Sequence, residues 1–190
     1  LMSRNTISAG TPLTTVSQKT MTMPSTTANT GMIAAGIKLP PNPNAKPSPI
    51  NKIRPVTEAM LSSPSSADWL DGRRTRDAQG YSPLKQINKG NVSKLRLSWS
   101  LSLPPGPNQN TPLVHDGIMF VHAFKDVMQA VDAVNGDILW QYTYRLPKDV
   151  TPTPKKSIAL YDTMVFMPTS DAHIVALDMK TGKVMWNTGV

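Results

Sequence analysis

From Thr111 onward the chain alternates short apolar runs with polar turn clusters, and it does so twice. The first set of runs is Thr111–Val114, Ile118–Ala123, Val127–Val131 and Ile138–Tyr144; the second is Ser157–Leu160, Met164–Pro168, His173–Leu177 and Val184–Asn187. Each run is short and rich in β-branched, aromatic or Met residues, which suits a pleated, half-buried strand better than a helix. The dipeptides Asp116-Gly117, Lys125-Asp126, Asp162-Thr163 and Ser170-Asp171 punctuate them as turns. The pattern therefore predicts two consecutive four-stranded units.

The units are copies of each other. AVDAVNGDILW at 130–140 and ALDMKTGKVMW at 176–186 share Ala, Asp, Gly and Trp at the same places, and the match extends back without a gap to Asp116 with Asp162 and Phe120 with Phe166. In each copy an Asp able to accept backbone N–H bonds precedes a Gly able to take positive φ, so the centre of the motif reads as a tight turn. A Trp follows each Gly, on the strand after the turn, where a flat ring can cover the seam with a neighbouring sheet. A period between 40 and 50 residues with four short strands per unit identifies propeller blades. The expected fold is all-β, a β-propeller fragment of about two four-stranded blades preceded by a lead-in segment. Two blades cannot close a ring, so the chain reads as a piece of something larger, or as one needing partners.

Composition changes the picture mainly at the N-terminus. Residues 1–57 contain no Asp, Glu, Trp, Tyr or Phe, but 15 Ser or Thr, 8 Pro and 6 Lys or Arg. So little apolar surface cannot offset the entropy of ordering, and this stretch is expected to be a disordered basic leader. Residues 58–105 form the lead-in segment and a first Trp-ended strand, and 106–190 the two blades. Of the net charge of +8, the leader carries +6 and the rest +2 (14 basic less 12 acidic). A basic tail suits an anionic surface or nucleic acid, but it would account only for residues 1–57, so nucleic acid is not the expected partner. With no cysteine, disulfides, C-x-x-C-H haem attachment and thiolate metal sites are excluded. No apolar run is long enough for a transmembrane segment. GMIAAGIKLP is too short and interrupted for a clear signal peptide.

Beyond these general features, residues 56–190 resemble the quinoprotein alcohol dehydrogenases, which use pyrroloquinoline quinone (PQQ). ADWLDGRRTRDAQGYSPLKQINKGNVSKLRLSW at 67–99 is similar to that family's N-terminal segment. NTPLVHDGIMFVHAFKDVMQAVDAVNGDILWQY at 110–142 and DAHIVALDMKTGKVMW at 171–186 are similar to its first blades, and the eleven-letter unit to its tryptophan-docking motif. The resemblance implies oxidation of a primary or secondary alcohol, PQQ with a calcium or lanthanide ion, a cytochrome c-type electron acceptor and a periplasmic location. The chemistry is coherent, since a hard cation takes oxygen ligands and acts as a Lewis acid while the cofactor accepts the electrons. Two residues carry over as cofactor-binding candidates. Asn110 precedes the Thr-Pro where the family usually has Glu, and Lys156 stands where it has Arg, keeping the charge without the planar fork. The adjacent cysteines of many members have no counterpart in DVTPTPKKS. The resemblance assigns the metal ligands and catalytic base to later blades, so no catalytic or metal-binding residue is expected here. The alternative is a non-catalytic propeller used as a binding scaffold, which could lose the quinone groups and keep its packing residues.

Other conspicuous residues have plainer readings. Arg73, Arg74 and Arg76, interleaved with Asp68, Asp71 and Asp77, read as a solvated, salt-bridged loop. His115, His122 and His173 show no ligand spacing and are expected to be satisfied or exposed. Lys155 and Lys156 form either a solvated pair or a site for an anionic quinone. Trp99, Trp140 and Trp186 are expected to pack between blades, and Met164, Met167 and Met185 to fill the core.

Overall fold

A computed structural model describes residues 48–190. Eight strands form two separate four-stranded antiparallel sheets, each in simple sequential order. The first blade contains β1 (Leu113–His115), β2 (Ile118–Ala123), β3 (Val127–Asp132) and β4 (Ile138–Thr143). The second contains β5 (Ala159–Tyr161), β6 (Met164–Pro168), β7 (His173–Asp178) and β8 (Val184–Gly189). All eight predicted strands are present within a few residues of their expected bounds. Among the described residues no helix is long and apolar enough to cross a membrane.

The repeated letters occupy repeated places. Phe120 pairs with Ala130 and Ala130 with Trp140, so the small alanine separates two rings on one face; Phe166, Ala176 and Trp186 repeat this row. The ring centroids lie 6.1 Å apart for Phe120 and Trp140 and 5.7 Å apart for Phe166 and Trp186, within the favoured range for tilted aromatic pairs. The turn aspartates act as read from sequence. Asp132 Oδ1 accepts from the Val134 N–H at 2.9 Å, and Asp178 Oδ1 from the Thr181 N–H at 2.8 Å.

The Trp of one unit docks on the turn of the next. Trp99 Nε1 donates to Ala133 O at 3.1 Å over Gly136, and Trp140 Nε1 donates to Met179 O at 2.9 Å over Gly182. Replacing Trp140 by Phe keeps a ring but removes that donor, leaving Met179 O without its partner. A loss of about 1 kcal/mol is expected, read as a lower urea midpoint of the purified chain.

Three expectations fail for want of a partner surface. The first Trp-ended strand expected within residues 58–105 is absent: the stretch leading to Trp99 forms no ladder, because no strand among the described residues lies beside it. Leu97 is accordingly 83% exposed. Trp186 and Met185, expected to pack, lie on β8, whose residues are all exposed. Met167 does fill the core and Met164 is half-buried.

Residues 48–57, expected to belong to a disordered leader, are packed. Ile50, Ile53 and Val56 recur every third position and bury against the blades, which gives this stretch an apolar anchor. Residues 1–47 lie outside the described residues. Val56 exchanges two backbone hydrogen bonds with Asp162, both 2.8 Å, tying the strap to the second blade. A short helix, α1 (Glu58–Ser62), follows, capped by the Thr57 hydroxyl. Trp69 then bridges Val114 at the free edge of β1, supplying partners that an inner edge strand would otherwise lack.

Candidate functional site

Antiparallel order sends the β1–β2, β3–β4, β5–β6 and β7–β8 turns to one end of the blades, and the β2–β3 and β6–β7 turns with the β4–β5 connector to the other. Polar side chains gather at both ends, from different segments in each case.

At the first end His115 is fully buried between two carboxylates. Its Nε2 lies 3.0 Å from Arg54 O and 3.4 Å from Asp116, and its Nδ1 lies 3.5 Å from Asp68. Asp68, expected on a solvated loop, is 6% exposed and accepts the Asp116 N–H at 3.0 Å. Asp68, His115 and Asp116 come close enough to one another to hold a metal ion, a grouping that residue spacing did not suggest. Both oxygens of Asp116 are already engaged by Arg54, however, and one oxygen of Asp68 accepts the Asp116 N–H, while the buried His115 Nδ1 has no hydrogen-bond partner. Arg54 donates from its backbone N–H, Nε and a terminal nitrogen to Asp116, the last at 2.6 Å. The cluster is a clamp that fastens the 48–57 strap to the first blade.

Those Arg54 hydrogen bonds are the main reason the Asp116 carboxyl is held below its ordinary value, against the opposing effect of partial burial. A carboxyl lowered in the folded state stabilises above the unfolded value, and the benefit disappears as pH falls through the folded one. Asp116→Asn is therefore expected to lower the urea midpoint at pH 7, with the difference closing as pH drops below the ordinary aspartate value of about 3.9. Because Arg54 is largely exposed, the effect should also shrink in high salt. Of the arginines read as a salt-bridged loop, Arg76 pairs with Glu58 at 2.6 Å, not with its neighbouring aspartates.

The second end holds the candidates that the family resemblance singled out. Asn110 is half-buried just before β1; its Oδ1 accepts the His122 N–H at 3.4 Å, and its Nδ2 is buried without a hydrogen-bond partner. Lys156 is exposed on the β4–β5 connector. Between them stands a buried network that sequence reasoning missed. Asp126, 0% exposed, occupies the β2–β3 turn, where it and Lys125 take positive φ. Its Oδ1 is 3.3 Å from Lys155 Nζ and 3.6 Å from His122 Nε2, and its Oδ2 accepts the Ser170 N–H at 3.2 Å. Lys155 Nζ also donates to Thr153 Oγ1 at 2.6 Å and Ser170 Oγ at 2.7 Å. Lys155 is therefore neither solvated nor a free cation for a quinone. His122, expected to be satisfied or exposed, is fully buried, and neither ring nitrogen has a hydrogen bond of good geometry. Burial pushes the Asp126 carboxyl up, but His122, Ser170 and Lys155 outweigh it and hold the group below its ordinary value. His173, partly exposed, points Nδ1 toward Asp171, which accepts the Tyr144 hydroxyl at 2.9 Å.

An orphaned amide donor and, on the connector at the same end, an exposed ammonium suit a ligand rich in carbonyl or carboxylate oxygens. At this end the described residues thus fit a carboxylated quinone in part: they supply donors and positive charge.

Two sheets docked through tryptophans over turn glycines define consecutive blades of a β-propeller. The chain belongs to the PQQ-dependent dehydrogenases. The family model "PQQ: Glucose/ethanol/alcohol dehydrogenase, beta-propeller domain" matches residues 69–189. The dehydrogenase subunit of the quinone alcohol dehydrogenase of Komagataeibacter europaeus is 40% identical over 126 residues, covering 63% of this chain and 17% of the relative. The crystal structure of quinohemoprotein alcohol dehydrogenase from Comamonas testosteroni matches 74% of this chain and 23% of its own, with a TM-score of 0.62 and 28% identity. A europium-containing methanol dehydrogenase matches 68% of this chain and 24% of its own, with a TM-score of 0.59 and 30% identity. The chain spans less than a third of the length of each of these relatives.

Proposed function

We propose that this chain forms the first blades of a PQQ-dependent alcohol dehydrogenase that oxidises a primary or secondary alcohol and passes the electrons to a cytochrome-type acceptor in the periplasm. The observation that carries this reading is family membership over residues 69–189, a span in which Trp99 and Trp140 dock on the turns of the following units. Converting an alcohol to a carbonyl compound releases two electrons and two protons, and a bound quinone with a calcium or lanthanide ion supplies the electron acceptor. The role of this chain is to bind and orient that group. Asn110 Nδ2 offers a hydrogen bond to an oxygen of the quinone, and Lys156 supplies positive charge against its carboxylates. An amide at position 110 brings no charge, so orientation here rests on the hydrogen bond alone.

The test is to titrate the purified gene product, freed of cofactor, with PQQ and calcium or a lanthanide, then to assay alcohol-dependent reduction of an artificial electron acceptor. Stoichiometric quinone uptake with turnover of a primary alcohol is expected. Failure to take up quinone under any metal would overturn the dehydrogenase reading and leave a propeller that serves as a binding scaffold.

A further inference from the structure

The Asp126–Lys155 pair joins the two blades at the very end where the candidate cofactor residues lie. Asp126 belongs to the β2–β3 turn of the first blade, while Lys155 sits on the connector leading into the second. Thr153 and Ser170 complete a cage around the ammonium, and the Thr153 N–H donates to Ser170 Oγ at 3.0 Å. Thr153 O, Thr153 Oγ1, Ser170 Oγ and Asp126 Oδ1 all accept from or pair with Lys155 Nζ, so the cation is held in one place. Asn110 and Lys156 are each a short step from this pair. Asn110 is bonded to the backbone of His122, whose ring approaches Asp126 at 3.6 Å. Lys156 is the next residue after Lys155, which is buried while Lys156 is exposed, so fixing the first aims the second outward.

We propose that Lys155 is a positioning residue for the quinone site: its ammonium, anchored on Asp126, registers the β4–β5 connector against the first blade and so sets where Asn110 and Lys156 meet the cofactor. The inference rests on the reading that this end holds the quinone. Lys155 itself does not touch the cofactor. Its effect passes through the backbone of Lys156 and through the turn that carries Asp126, so it belongs to the support of the site.

The experiment compares three variants of the cofactor-free gene product by fluorescence titration with PQQ, reading the dissociation constant, and by thermal unfolding. Lys155→Met is expected to weaken quinone binding at least tenfold. Asp126→Asn with Lys155→Met removes both charges, and is expected to recover folding without recovering affinity, which keeps the test informative if the single variant folds poorly. Trp140→Ala disturbs the docking contact at the opposite end, and is expected to lower the melting temperature while leaving the dissociation constant within twofold. If Lys155→Met and the double variant bind PQQ as the parent does, Lys155 is only a structural pin and the inference fails alone. Equal losses of affinity in Trp140→Ala and the Lys155 variants would also overturn it, since affinity would then follow general stability. If the parent takes up no quinone, the proposed function fails and this inference falls with it.

Discussion

Replacing Asp126 by Ala is expected to cost about 3–5 kcal/mol, the usual consequence of breaking a buried ion pair on one side. Lys155, 7% exposed, would lose its counter-charge, and the Ser170 N–H its acceptor, in a space closed to water. Two hydroxyls and a carbonyl would remain around the ammonium, which satisfies its hydrogen bonds but not its charge. Adding Lys155→Met should recover most of the loss, because a neutral side chain of similar length no longer needs the carboxylate. Urea unfolding of the four proteins forms a double-mutant cycle. A double variant as unstable as the sum of the singles would mean that the two groups act separately, contrary to the 3.3 Å contact between them.

This pair also marks the boundary of what the sequence disclosed. The strands were legible because period-2 runs, turn dipeptides and a gapless repeat all point to one register, and the structure keeps it down to the Phe120–Ala130–Trp140 row. Legibility failed where contacts join segments with no shared pattern. Arg54 reaches Asp116 across 62 positions, and Asp68 reaches it across 48. Ser170 reaches Asp126 across 44. Neither spacing nor composition announces such meetings, so His115 and His122 read as isolated histidines, and Lys155 as half of either a solvated pair or a quinone site. One signal was available in part: where a stretch is extended, neighbouring side chains tend to face opposite ways, which favours burial of one member of the Lys155–Lys156 pair. The apolar spacing of Ile50, Ile53 and Val56 was a second, outweighed by the composition of the residues before it. The exposed Trp186 is a different case. The repeat identified it as a docking residue from its place in the motif, and the surface it would dock on is not among the described residues.

Glycines in the blade turns matter for two separable reasons, and substitution should separate them. Gly117 and Gly182 both have positive φ, 78° and 67°, where any residue with a Cβ is strained by about 1–2 kcal/mol. They differ in what surrounds them. A Cβ on Gly117 would meet nothing within 4 Å, whereas one on Gly182 would stand 2.6 Å from Cε3 and 2.7 Å from Cδ2 of Trp140. Gly117→Ala is therefore expected to show the backbone strain alone. Gly182→Ala adds displacement of the indole, with loss of its 2.9 Å bond to Met179 O and of its cover over the turn, for a total of roughly 4 kcal/mol or more. The measurement is denaturant unfolding of both variants, with the native-state tryptophan emission of each compared with the parent's, the other three tryptophans being common to all, so that the difference reports exposure of Trp140 to water. A red-shifted emission in Gly182→Ala but not in Gly117→Ala is the expected result. Equal destabilisation of the two would mean that the glycines are kept for their backbone alone, and that the close approach of the Trp140 ring to the turn adds nothing to the joint between blades.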